Sequence, residues 1–194
     1  MVVTTLNARQ GDEAAAPDEA LGVVRFWREA GADRWFNKSE AFDRQFRERF
    51  LSLHEAAARG ELDHWVHCAE GGLALLILLD QFPRNAFRGT ARMYETDARA
   101  RQIADQAVDA GLDEQVEREL RVFFYLPFSH SEEMNDQRRA VLLNQRIGQP
   151  WLAHALQHAD IVERFGRFPH RNLLLGRDMT EPERAFLDQG GFAG

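Results

Sequence analysis

Apolar residues recur along this chain every three or four positions, and no stretch sustains the strict alternation of a half-buried strand. Phe42, Phe46, Phe50, Leu53 and Ala57 fall on one helical face that ends at Gly60. Asn37 or Ser39 serves as its cap, with Glu40 three residues after Asn37 as a capping box needs. Trp151, Ala155, Ala159 and Val162 form a second stripe between Pro150 and Gly166. Between these two lies Leu73 to Leu79, apolar on every side. Its leucines and alanine, with Ile77 the one β-branched residue, predict a buried central helix rather than a parallel strand. Pro83 disfavours helical geometry in the residue before it, so a turn is expected after Asp80-Gln81-Phe82.

The remaining signals extend this pattern. Pro17 and Asp18 open a first helix that Gly31 closes, and Thr90 to Ala110 reads as helix with a restart at Thr96 or Asp97 and a stop at Gly111. Asp113 starts a helix through Val122-Phe123-Phe124-Tyr125-Leu126 to Pro127. Ser131 to Ile147 forms the next, closed by Gly148. Thr180-Glu181-Pro182-Glu183 pairs a threonine cap with glutamate three residues on and opens the last helix. The expectation is an all-α fold of about eight helices in antiparallel hairpins, a bundle or a short solenoid, without a clean full-length repeat. Residues 17–194 read as one domain, and 1–16 as a flexible arm that is small, polar and without period.

Composition narrows the functional classes. A net charge of -7 argues against a nucleic-acid binder working by bulk attraction, though not against a local basic pocket. A single cysteine, Cys68, excludes an internal disulfide and a multi-cysteine zinc site. The N-terminus lacks the basic and apolar regions of a signal peptide, and the apolar run at 73–79 is too short to span a bilayer. A soluble cytoplasmic protein without nucleic-acid or membrane partners is expected.

Candidate chemistry gathers at helix ends. Glu163 to Asn172 (Glu-Arg-Phe-Gly-Arg-Phe-Pro-His-Arg-Asn) mixes arginines and a histidine with Phe165 and Phe168, and burying such charges is costly unless each has a partner. Phe82-Pro83-Arg84-Asn85 echoes Phe168-Pro169-His170-Arg171-Asn172. In one reading the asparagines cap and the arginines bind helix-end carbonyls. In the other Arg84, Arg167, Arg171 and also Arg88 converge on an anion, with Asp80 as counter-charge, since the guanidinium fork suits carboxylate or phosphate. His130-Ser131-Glu132-Glu133 reads either as a capping turn or as a base with a serine nucleophile. His154 and His158 share a helix face, yet no zinc signature accompanies them, and no cofactor is implied.

Three blocks carry a family resemblance: Leu78-Leu79-Asp80-Gln81-Phe82-Pro83-Arg84-Asn85, Tyr125-Leu126-Pro127-Phe128-Ser129-His130-Ser131-Glu132, and Glu163 to Asn172. Together they resemble the bacterial DUF924 family, from Leu21 to Phe192. The resemblance implies an all-helical, tetratricopeptide-repeat-like fold and a family without an established function. Its polar motif residues fall on Asp80, Gln81, Arg84, Asn85, Arg88, His130, Ser131, Glu132, His158, Arg167, His170, Arg171 and Asn172; His154 lies outside that pattern.

Two functions are expected on this basis. One is a helical binding module whose pocket, built from Asp80, Arg84, Asn85, His130, Arg167, His170, Arg171 and Asn172, takes an anionic small molecule or a peptide carboxylate. The other is a hydrolase-like or metal-assisted enzyme using His130, Glu132, His158 and His170.

Overall fold

The computed structural model describes residues 15–194, so the expected arm lies outside the described residues except for Ala15 and Ala16. Helix α1 spans Asp18–Ala30, followed by the short α2 (Ala32–Trp35) and the long α3 (Glu40–Ala58). Ser39 caps α3 by accepting from the Phe42 amide, whereas Asn37 donates to the Asp33 carbonyl. Next come α4 (Ala69–Leu76) and α5 (Phe82–Ala86), joined by a π-helical segment, Ile77–Gln81. They are followed by α6 (Asp97–Asp109), α7 (Val122–Ser129), α8 (Met134–Ile147), α9 (Trp151–Phe165) and α10 (Glu181–Asp188). No strand occurs among the described residues.

The stretch that is apolar on all sides is the axis of the molecule, and every residue from Leu73 to Leu79 is fully buried. Helices α1 and α3 pack on this axis, as do α6 and α7, while α8 lies against both α7 and α9. Aromatic rings fill the space between layers: Trp27 meets Phe46 at 5.4 Å and Phe123 at 5.3 Å. Each such fully buried side chain contributes about 1.5–3 kcal/mol of transfer free energy. A smaller cluster of Ile161, Val162 and Phe168, with Phe165, Phe186 and Phe192 against it, joins α9 to the C-terminal segment.

At three places the chain departs from the sequence expectation. It does not turn at Pro83: helix continues through the proline to Ala86, and the Phe82 amide bonds back to the Ile77 carbonyl across the π turn. Proline offers no amide to the Leu78 and Leu79 carbonyls, and side chains replace it. His54 Nδ1 lies 2.9 Å from the Leu78 oxygen, and the Thr96 hydroxyl donates to the Leu79 oxygen at 2.5 Å. The helix expected from Asp113 begins only at Val122. Asp113 is buried and accepts from the Tyr125 hydroxyl at 2.7 Å, which holds residues 112–115 in a 3-10 turn. Finally, α8 begins at Met134 rather than Ser131, whose hydroxyl donates to Asp136 at 2.6 Å.

Candidate functional site

The π segment places Asp80 in the interior, where its side chain is completely buried. A π turn adds one residue to the helix and so rotates the following side chains onto a new face, which is one reason such turns recur at functional sites. Asp80 Oδ2 accepts from Gln81 at 2.7 Å. Its Oδ1 lies 2.8 Å from His130 Nδ1 at the end of α7, and Arg84 Nη1 approaches the same oxygen at 3.3 Å. Burial works against the Asp80 carboxylate, but Arg84 and His130 outweigh it and hold its pKa well below the usual range.

Arg84 also donates to both oxygens of Asp97, at 2.8 and 3.1 Å. Asp97 has a second guest. Arg171 Nη1 donates to Asp97 Oδ2 at 3.2 Å, and Arg171 Nη2 donates to the His130 carbonyl at 2.9 Å. The Arg171 guanidinium sits 4.6 Å from the ring centres of both Tyr94 and Phe168. The two echoing Phe-Pro motifs therefore meet on one carboxylate.

Burial and Arg84 lower the pKa of His130 despite the neighbouring Asp80, so at neutral pH its imidazole is uncharged. The carboxylate partner assigns the proton to Nδ1 and leaves Nε2 with a lone pair. His158 repeats the arrangement with the His154 carbonyl, 2.8 Å from its Nδ1. Burial, reinforced by His130, pushes His158 down to about 4, and burial with Arg171 does the same to His170. Three neutral imidazoles thus stand near one another, with the rings of His130 and His158 6.3 Å apart.

They line a cavity of 140 Å³ together with Arg84, Arg88, Arg171, Met93, Tyr94, Phe168, Phe192 and Gly194. No carboxylate side chain is among its lining residues; Asp43, Asp80 and Asp97 stand behind the arginines they pair with. A ligand there meets guanidinium, imidazole and aromatic surface, together with the Met93 thioether and the Gly194 backbone. A larger cavity of 440 Å³ shares Tyr94, His130 and Arg171 with it, but Arg101 and Arg177 alternate there with Asp97, Glu132 and Glu133.

Of the residues singled out from sequence, Asp80, Arg84, His130, His158, His170 and Arg171 are brought together. Glu132 lines the larger cavity, where it accepts from Arg177 and from the Phe168 amide, both at 2.9 Å. Asn85 is buried away from the cavity and, with Arg88, binds Asp43. Arg167 stands apart, paired with Glu183 beside the Thr180 capping box of α10. Asn172 is fully buried, its amide 3.5 Å from the Met179 sulfur. Asp97 and Tyr94 carry no such signal in the sequence, since Thr96-Asp97 reads only as a helix start. Among the described residues no three His, Cys, Asp or Glu side chains are arranged to hold a metal ion. Nor is any helix long and apolar enough to cross a membrane.

Residues 23–191 match a family described as bacterial protein of unknown function, DUF924. The chain belongs to that family. A solved structure of ATU0120, a protein of unknown function from Agrobacterium tumefaciens, is 57% identical to this DUF924 chain and superposes with a TM-score of 0.87. The match covers 89% of this chain and 98% of that one. No curated protein matches. The three sequence blocks supply Arg84, His130, and His170 and Arg171 to the lining of one cavity, with Asp80 behind Arg84 and His130.

Proposed function

We propose that this DUF924 chain is a helical binding protein for a small molecule with an acidic group, carboxylate or phosphate, held in the 140 Å³ cavity. The tetratricopeptide-like stacking of helix pairs implied by the family belongs to the same proposal, as does a soluble, cytoplasmic setting. The supporting observation is the charge of the lining: arginines and imidazoles face the space, and the balancing carboxylates lie behind them. The guanidiniums of such a wall supply hydrogen-bond donors to an anion without leaving the empty protein with unbalanced buried charge.

The test is a titration with sodium acetate and with inorganic phosphate, followed by the imidazole NMR signals. At least one of the two anions is expected to shift His130, His158 and His170 together, while His64 and His67, exposed elsewhere, stay in place. If neither anion moves the three signals, or if all histidines move alike, the proposal is wrong.

One observation favours a second reading, in which the site also transfers protons. The buried Asp80 orients His130 as the carboxylate of a catalytic pair would, with Nε2 left as base. Of the residues expected for an enzyme, Glu132 is occupied by Arg177 and the Phe168 amide, and Ser131 by Asp136. The enzyme reading thereby narrows to His130, with His158 and His170 beside it. Turnover of an ester or phosphoester panel that is lost in His130→Ala and in His170→Ala would support it; turnover unchanged by both would rule it out.

A further inference from the structure

The acidic-ligand reading leaves open what else the ligand carries, and the chain itself supplies a clue. Phe192 lays its ring against the cavity's imidazoles, 4.7 Å from that of His158 and 5.2 Å from that of His170. Phe168 stands across from it, 5.4 Å from His158. This wall already holds a flat aromatic ring.

The segment bearing that ring is weakly tied. Gly190 adopts φ 82°, a left-handed conformation that turns the chain back after α10, and at Gly191 a Cβ would meet the Phe186 ring at 2.6 Å. The last backbone hydrogen bonds made by amides of this segment are those of Gly190 and Gly191, to Leu187 and Phe186. Beyond them Phe192 is the anchor, half-buried against the Phe168 cluster.

Two further residues that line the cavity, His170 and Arg171, each keep a buried nitrogen without a hydrogen-bond partner, Nδ1 and Nε. The Arg171 side chain is only 8% exposed. Enclosing such groups unpaired costs about 1–3 kcal/mol each, so a ligand whose entry shifts the segment and lets it reach either nitrogen gains free energy the closed segment does not provide.

We propose that Phe192 is a built-in stand-in for the ligand, and that the cavity takes an aromatic carboxylate whose ring displaces Phe192 from His158 and His170. The inference rests on the acidic-ligand reading above and adds the aromatic group and the displacement. The Phe192 segment is then a competitor that lowers apparent affinity by the fraction of time it occupies the wall.

The experiment compares benzoate, cyclohexanecarboxylate and acetate by calorimetry or NMR on the full chain. Benzoate is expected to bind about tenfold tighter than cyclohexanecarboxylate, which has similar bulk without a flat π face. Phe192→Ala should tighten benzoate about tenfold further by removing the competitor. In the unaltered chain, benzoate should remove the NOEs between the Phe192 ring protons and those of His158 and His170 and replace them with NOEs from its own ring, a readout independent of how the variant folds. Weaker benzoate binding in Phe192→Ala would make the ring a fixed wall and overturn the inference. So would equal affinity for the three acids, or Phe192 NOEs to His158 and His170 that persist at saturation. If acetate binds but benzoate gains nothing, the acidic-ligand reading stands and this one falls; if neither those acids nor phosphate binds, both fall.

Discussion

The segments 82–85 and 168–172 share a Phe-Pro start and an Arg-Asn end, and each sends its arginine to Asp97, yet they do different things. In the first, the hydrogen bonds close among themselves: Arg84 serves Asp80 and Asp97, and Asn85 serves Asp43. In the second, three consecutive residues keep a buried polar atom without a partner: His170 Nδ1, Arg171 Nε and Asn172 Oδ1. The backbone makes the difference. Residues 82–85 lie in a helix whose π turn brings Asp80 alongside, whereas 169–171 form a single 3-10 turn beyond the Gly166 stop of α9. Of these three residues His170 and Arg171 line the cavity, where a ligand that reaches their unpaired atoms would offset the burial. The same short motif is a structural tie in one context and a candidate binding wall in the other.

The sharpest way to break this comparison is to remove the carboxylate the two motifs share. Asp97→Ala leaves Arg84 with Asp80 and strips Arg171 of its ion pair, and should cost about 3–5 kcal/mol in urea unfolding. A loss below about 1 kcal/mol would mean that the motifs are held by packing alone.

Acid should act next most strongly, and through the second motif. His158 and His170 titrate near 4 in the fold, against 6.5 for an unhindered imidazole. Between these values the unfolded chain binds protons that the folded chain refuses. Stability is therefore complete above about pH 6.5, falls as the pH drops toward 4, and stops falling on this account below that. The loss should be on the order of 2 kcal/mol per histidine. Burial lowers His54 and His130 in the same direction, so His170→Gln should remove part of the slope in that window; an unchanged slope would place the proton uptake elsewhere.

Arg167→Ala tests the arginine that the fold sets apart. It unpairs the nearly buried Glu183, whose carboxyl the Arg167 contact holds down to about 2, and should cost about 1–2 kcal/mol while leaving anion binding unchanged. Weaker anion binding would return Arg167 to the site. The smallest effect is expected from Thr180→Ala. Removing this cap should cost about 1 kcal/mol, read as a small drop in Tm with no change in imidazole shifts.

Much of the fold was legible because its signals are local. The stripe of Phe42, Phe46 and Phe50, the all-round apolar run at 73–79, and the Thr180 capping box each depend on neighbours a turn or two away. Pro83 misled for the opposite reason. The loss of its amide is compensated by His54 and Thr96, residues distant in sequence that only folding brings to the Leu78 and Leu79 carbonyls. Asp113 likewise read as a helix start, because its bond to Tyr125 spans the turn between them.

The sequence by itself determined an all-helical chain and which helix ends carry arginine and histidine, because periodicity and capping are encoded within a few residues. Tertiary structure alone decided that Asp97 would be the shared partner, that Arg167 would leave the group, and that the cavity wall would be cationic with its carboxylates behind. Those outcomes depend on how α5, α6, α7 and α9 pack, and the electrostatics of a buried site are set by distances that no local pattern records.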